Sequence, residues 1–292
     1  MPAPDTPLQL PPGAPADFET GQLTFVGNAT VILRYGGFTL LTDPNFLHAG
    51  QHAYLGLGLR SKRLEDPALE ITDLPDLDFV VLSHHHGDHF DRVAAEGLDK
   101  DLPIVTEPHS ARKLGQQGFR RALALDTWES QTFRRGDATV RVTSMPGKHA
   151  PQPLQRFLPP VMGSVLDYSR GGEHRFRVYI TGDTLLHDRL KEIPQRFADI
   201  DLCLIHLGGT KVAGILLTMD AAQGVAALQI VRPATAVPIH YDDYTVFSSG
   251  LDDFRRAASA ANLATEIHEV ARGETWTFAP PPARNSAVGP QT

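Results

Sequence analysis

Short apolar runs rich in β-branched and aromatic residues alternate with Gly, Pro and Asp along most of this chain. The first three runs, over 23–26, 30–34 and 38–42, are separated by Gly27-Asn28 and Gly36-Gly37, pairs that favour hairpin turns, and they predict an antiparallel start. From residue 79 the pattern changes to strand, loop and helix. Strands are predicted over 79–83, 104–106, 120–125, 139–144, 163–168, 176–181, 202–207 and 236–239, and helices over 91–98, 108–117, 218–231 and 251–260. Two further strands, over 266–270 and 275–278, finish the pattern. In the third helix Thr218 is the expected N-cap, with Asp220 near the positive end and Pro233 just past the stop. Hairpins followed by interspersed strands and helices predict an α/β (α+β) fold with two mixed sheets face to face and helices outside, a four-layer αββα sandwich.

Residues 1–20 hold six prolines and little apolar pattern, and 280–292 is similar, so both are expected to be irregular tails. Neither a linker nor a repeat interrupts the body, so residues 21–279 are expected to form one domain. At 41% hydrophobic and 21% charged residues the composition is that of an ordinary globular protein. The net charge of −7 leaves no chain-wide basic footprint, so no nucleic-acid partner is expected. The single Cys203 excludes an internal disulfide and, within the apolar run 202–205, reads as a small buried hydrophobe. No stretch approaches the roughly 20 apolar residues of a membrane span, and the start lacks a basic-then-apolar leader. A cytoplasmic protein is expected, with its oligomeric state open.

The chemistry concentrates where apolar strands end. Phe79-Val80-Val81-Leu82 runs into Ser83-His84-His85-His86-Gly87-Asp88-His89. Neutral imidazole and carboxylate suit a borderline divalent cation such as zinc. In extended chain, residues two apart point the same way, so His84 and His86 can grip one ion while a turn at Gly87 re-aims Asp88 and His89 at a second. Three other strands also end in ligand types: His149 after 140–145, Asp183 within Thr181-Gly182-Asp183-Thr184, and His240 after 236–239. Together they supply the other half of a two-metal site. Asp43, between an apolar strand and Pro44, reads as a carboxylate that accepts the second N–H of a ligand imidazole. His187, His206 and the run 241–244 read either as pocket lining or, the favoured reading, as ordinary loop or core residues, and His48, His52, His109, His174 and His268 carry no chemical context.

In this combination and order, the motifs resemble the metallo-β-lactamase superfamily. The resemblance runs from the 24–34 hairpin through Leu41-Thr42-Asp43-Pro44, the His-x-His-x-Asp-His run, His149, Asp183 and His240. It implies one metal held by His84, His86 and His149, a second held by Asp88, His89 and His240, and Asp183 bridging them. His85 falls on a variable position and should point away. Two divalent metal ions per chain are therefore expected, zinc foremost, although five His and two Asp also suit manganese or iron. Two ions about 3.5–4 Å apart can bring the pKa of a water between them from near 16 towards 7, so a bridging hydroxide is the expected nucleophile. Asp88 is the expected catalytic residue, passing a proton to the leaving group.

Within the superfamily the chain resembles the branch of ascorbate-phosphate lactonases and phospholipase-D-type hydrolases of N-acyl phospholipids. The β-lactamases themselves commonly place Cys where Asp183 stands here, so a β-lactamase is not expected. The resemblance implies hydrolysis of an ester, lactone or phosphodiester in a small-molecule or lipid-like substrate, in other words a lactonase or phosphodiesterase. A nuclease and a catalytically silent metal-binding module are the alternatives. The Gly-rich loop 46–63, with Tyr54, Leu55, Leu57 and Leu59, reads either as a lid over the metals or as a packed Ω-loop, and 151–160 as a second rim.

Overall fold

Side-chain alternation along the strands divides the molecule into four layers. Phe79 and Val81 of one sheet, and Leu202 and Leu204 of the other, point inward to a shared core. Between them, Val80 points outward to Ala94 and Leu114 of the helices Arg92–Gly97 and Pro108–Gln116. On the opposite side Cys203 and Ile205 point outward to Leu228 and Phe254 of the helices Ala221–Val231 and Leu251–Ala261. Each such buried side chain contributes about 1.5–3 kcal/mol relative to exposure. The result is the αββα sandwich. The structure is a computed structural model describing residues 6–280 except 57, 152, 153, 157 and 213. Leu57, parts of the 151–160 rim and nearly all of the 280–292 tail lie outside the described residues.

The first sheet runs Thr275–Phe278, Gly21–Gly27, Thr30–Tyr35, Phe38–Thr42, Phe79–Val81, Ile104–Thr106 and Ala122–Ala124 from edge to edge. The second runs Leu8–Gln9, Ser130–Arg135, Ala138–Pro146, Met162–Arg170, Glu173–Ile180, Leu202–His206, Thr235–Ile239 and Glu266–Ile267. Phe79 and Phe133 stack across the two sheets with ring centroids 4.1 Å apart. Within the stretch expected to be irregular, Leu8–Gln9 pairs in parallel with Phe133 and Arg134, because Leu8 and Leu10 can reach the shared core. The helix expected over 218–231 begins at Ala221, and its N-cap is Asp220 rather than Thr218: the Asp220 carboxylate accepts from the Gln223 N–H at 3.0 Å. No helix among the described residues is long and apolar enough to cross a membrane.

Loop 46–63 is packed. It folds a small hairpin of His52–Tyr54 and Arg60–Lys62, and its Leu47, Ala53 and Leu55 bury against Tyr244. Gly87 lets it approach the His-rich run, since the Gly87 N–H donates to the Tyr54 carbonyl at 2.9 Å and a Cβ there would lie 2.7 Å from the Tyr54 nitrogen. Gly87→Ala is therefore expected to push the loop outward and destabilise the fold by about 1–3 kcal/mol. Urea unfolding measures the loss, and an unchanged midpoint would mean that the contact yields freely.

Candidate metal centre

Parallel strands deliver the chemical groups to one edge of the sandwich. In the first sheet Phe38–Thr42, Phe79–Val81 and Ile104–Thr106 run parallel; in the second Glu173–Ile180, Leu202–His206 and Thr235–Ile239 do. Asp43, residues 83–89, Asp183 and His240 follow the carboxyl ends of four of these strands, where α/β folds gather ligands. His149 follows Ala138–Pro146. Asp43 and His240 hold positive φ angles of 34° and 61°, conformations that cost a side-chain-bearing residue about 1–3 kcal/mol. The His240 N–H, donating to the Asn28 carbonyl at 2.8 Å, helps hold this backbone in place.

All seven residues expected as ligands are buried and fall into two groups. In the first, His84 Nε2 and His149 Nε2 lie 2.9 and 3.4 Å from His86 Nδ1. Ligand nitrogens about 2.0–2.1 Å from a tetrahedral zinc stand roughly 3.3–3.4 Å apart, so the spacing is that of a coordination shell. The second group is Asp88, His89, Asp183 and His240, with His89 Nε2 3.2 Å from Asp183 Oδ2 and His240 Nε2 3.6 Å from Asp88 Oδ2. Four buried atoms in it, Asp88 Oδ1, His89 Nε2, Asp183 Oδ1 and His240 Nε2, make no hydrogen bond. Orphaned buried donors and acceptors are costly, and together these are the donor set of a borderline divalent cation. The residues present fit a metal.

The other ring nitrogens are engaged elsewhere. His84 Nδ1 meets Ser83 Oγ at 3.0 Å, His149 Nδ1 the Asp183 carbonyl at 3.0 Å, His240 Nδ1 the Leu207 carbonyl at 3.2 Å, and His89 Nδ1 stands 3.4 Å from Asp43 Oδ2. Each contact orients its ring so that Nε2 faces the cluster. His86 is the exception: its Nδ1 faces the cluster and its Nε2 has no partner.

Electrostatics divide the two groups. Burial, aided by neighbouring imidazoles, holds His84 well below the usual histidine range and brings His86 down to about 3, so both are neutral donors at pH 7. Burial also opposes charge on His89, yet Asp183, Asp88 and Asp43 together hold it well above that range. Against the effect of burial, the neighbouring imidazoles keep Asp183 and Asp88 below the ordinary carboxylate range. The second group thus holds the carboxylate charge, offset by His89 and by His240, which Asp183 and Asp88 raise against the effect of burial.

Asp43 lies behind the ligands. Its Oδ1 accepts the Ser83 N–H at 2.7 Å, and its Oδ2 stands 3.3 Å from His206 Nε2 as well as near His89. His206 is therefore a site neighbour, and Thr181 Oγ1, 3.2 Å from its Nδ1, fixes the ring. Thr218, freed from capping, donates its hydroxyl to Asp183 Oδ2 at 3.1 Å. His85 joins neither group; its Nε2 meets Gln117 Oε1 at 3.1 Å, its ring packs near Phe90, and burial, with the charges of Lys113 and His109 adding to it, lowers its pKa.

An αββα sandwich with a three-histidine cluster adjoining an Asp/His cluster at its strand ends is built to hold metal. The family described as beta-lactamase superfamily domain matches residues 39–241, and the chain belongs to it. It is a metal-dependent hydrolase of the metallo-β-lactamase fold. It is 28% identical over 241 residues to N-acyl-phosphatidylethanolamine-hydrolyzing phospholipase D 1 of Caenorhabditis elegans, covering 76% of this chain but only 64% of that protein. A metal-dependent hydrolase of Archaeoglobus fulgidus is 26% identical, across 88% of this chain and 99% of its own. Among solved structures, isothiocyanate hydrolase from Delia radicum gut bacteria superposes with a TM-score of 0.72 at 25% identity, over 88% of this chain and 99% of that one.

Proposed function

We propose that residues 21–279 form a hydrolase domain holding two divalent cations, zinc foremost, that cleaves an ester, lactone or phosphodiester bond in a small-molecule or lipid-like substrate. The observation that carries this reading is the set of unpartnered buried atoms on Asp88, His89, Asp183 and His240 beside the converging imidazoles of His84, His86 and His149. When bound, the cations supply an activated water and Lewis acidity toward the oxygen under attack. The chain's own residues do the rest. Asp183, in reach of His89 and His240 of its own group, would be the carboxylate shared with the first group, and Thr218 limits its rotation. Asp88 Oδ1, free of protein partners, takes the proton released by the attacking water and delivers it to the leaving oxygen. Asp43 orients His89 and, with Thr181, His206.

The bond class rests on the likeness to the phospholipase, which is named for a phospholipid; the solved relative is named for an isothiocyanate, so fold does not fix substrate. Metal analysis of the purified protein tests the reading. Two ions per chain are expected, with activity on 4-nitrophenyl butyrate or bis(4-nitrophenyl) phosphate lost to a chelator and restored by zinc or manganese. His86→Ala is expected to lose metal and His85→Ala to keep it; equal metal content in the two variants would exclude the assignment.

A further inference from the structure

Beside His86 opens a cavity of about 840 Å³, within the range of ligand pockets. Its floor is His86, Gly87 and Gly56, and a Cβ on Gly56 would meet His86 Nε2 at 3.4 Å. Apolar groups line one part, including Leu47, Tyr54, Phe90 and Leu158. Another part is cationic, with Arg92 from the helix Arg92–Gly97, Lys113 from Pro108–Gln116, and Arg156, and the imidazole of His109 stands beside them. Among the described residues no carboxylate lies within ion-pair distance of Arg92, Lys113 or Arg156. The only acid in the lining, Asp91, is already engaged by the N–H groups of Phe46, Leu47 and Ala94 and by the Asn45 amide. A positive, unneutralised wall in a chain of net charge −7 calls for a negative ligand.

A second observation points the same way. His86 is only 7% exposed, its Nδ1 faces His84 and His149, and its Nε2 makes no hydrogen bond although the residue lines the cavity. In the proposed metal centre, with the Nδ1 lone pair turned to the other imidazoles, Nε2 would carry the proton and lack an acceptor.

We propose that this cavity is an anion subsite: Arg92, Lys113 and Arg156, with His109, bind a phosphate or carboxylate carried by the substrate, its apolar part lies along Leu47, Tyr54 and Leu158, and the His86 Nε2–H donates to the bound molecule. This deepens the hydrolytic reading and rests on it for the tautomer of His86. The substrate class is an anionic amphiphile whose charged group sits beside the reacting bond, held by guanidinium and ammonium groups.

Titration calorimetry with hexyl phosphate, inorganic phosphate and hexanol on the purified protein tests this. Hexyl phosphate is expected to bind, and Lys113→Ala/Arg156→Ala to weaken it about tenfold or more, while Lys113→Arg alone stays within about threefold of the natural chain. Hexyl phosphate binding more tightly than inorganic phosphate identifies an anion on an apolar chain; equal affinities, both lost in the double variant, identify free phosphate as the ligand of the same subsite. Undiminished binding in the double variant overturns the subsite, since the anion then sits on the metals alone. A single-stranded oligonucleotide bound more tightly than hexyl phosphate overturns the small-ligand assignment. Lys113-dependent binding without any hydrolysis sinks the hydrolytic reading and leaves the subsite; hydrolysis without such binding does the reverse.

Discussion

Asp183→Asn is expected to lower kcat/KM by about a thousandfold or more, roughly 4 kcal/mol of transition-state stabilisation. The substitution keeps the shape of the side chain and can keep the Thr218 hydrogen bond at 3.1 Å. It removes a negative charge within 3.2 Å of His89 Nε2 and 3.5 Å of His240 Nδ1, in a site shielded from solvent. If Asp183 is the charged link between two cation sites proposed above, a neutral amide cannot replace it, so metal content should fall together with rate. Elemental analysis and rates on 4-nitrophenyl butyrate, read beside a circular dichroism spectrum, separate this from unfolding. Full metal content with more than about a tenth of the rate would remove Asp183 from the bridging position.

The second large effect is on stability. Arg63→Met is expected to cost about 3 kcal/mol, the lower end of the range for breaking a buried ion pair, and to lower Tm by about 6–12 °C. Arg63 is fully buried and donates to Asp243 Oδ1 at 3.1 Å, the Glu65 carbonyl at 2.8 Å and both oxygens of Asn45. Asp243 keeps Arg272 at 2.6 Å and the Asn28 N–H at 2.7 Å, which is why the lower figure applies. The network joins loop 46–63 to the segment after His240, and Asn28 also donates to the Asp88 carbonyl at 2.6 Å. A Tm shift under about 2 °C would show that the packed loop holds itself without the guanidinium.

The strands most legible in the sequence are those with apolar residues on both faces. Phe38–Thr42 and Ile104–Thr106 stand where the pattern predicts them, and so does Thr275–Phe278, whose Trp276 and Phe278 alternate with exposed threonines. Ser130–Arg135 is invisible to that logic, because Phe133 is its only apolar residue and pairing with Ala138–Pro146 holds it. Thr218 and Asp220 are both competent caps, and local chemistry cannot choose between them; the neighbouring Asp183 decides by taking the Thr218 hydroxyl. The two clusters assemble the residues that the strand-end rule selects. His206 follows the same rule, standing at the end of a parallel strand as His240 does, but its partner Asp43 is 163 residues away. Nothing local marks that contact. The hairpin within loop 46–63 is equally hidden, since only the close approach at Gly87 makes it useful.

The donor atoms come from both sheets: His84, His86, Asp88 and His89 from the first, and His149, Asp183 and His240 from the second. A cation gripped there is a rivet through the sandwich, stabilising the native state by mass action in proportion to its supply. The lifetime of the molecule then depends on its surroundings as much as on its sequence. With such a rivet, a chain made under metal scarcity would part at the seam between its sheets more often and be cleared by proteases sooner, so its abundance would report how much free metal was present when it was made.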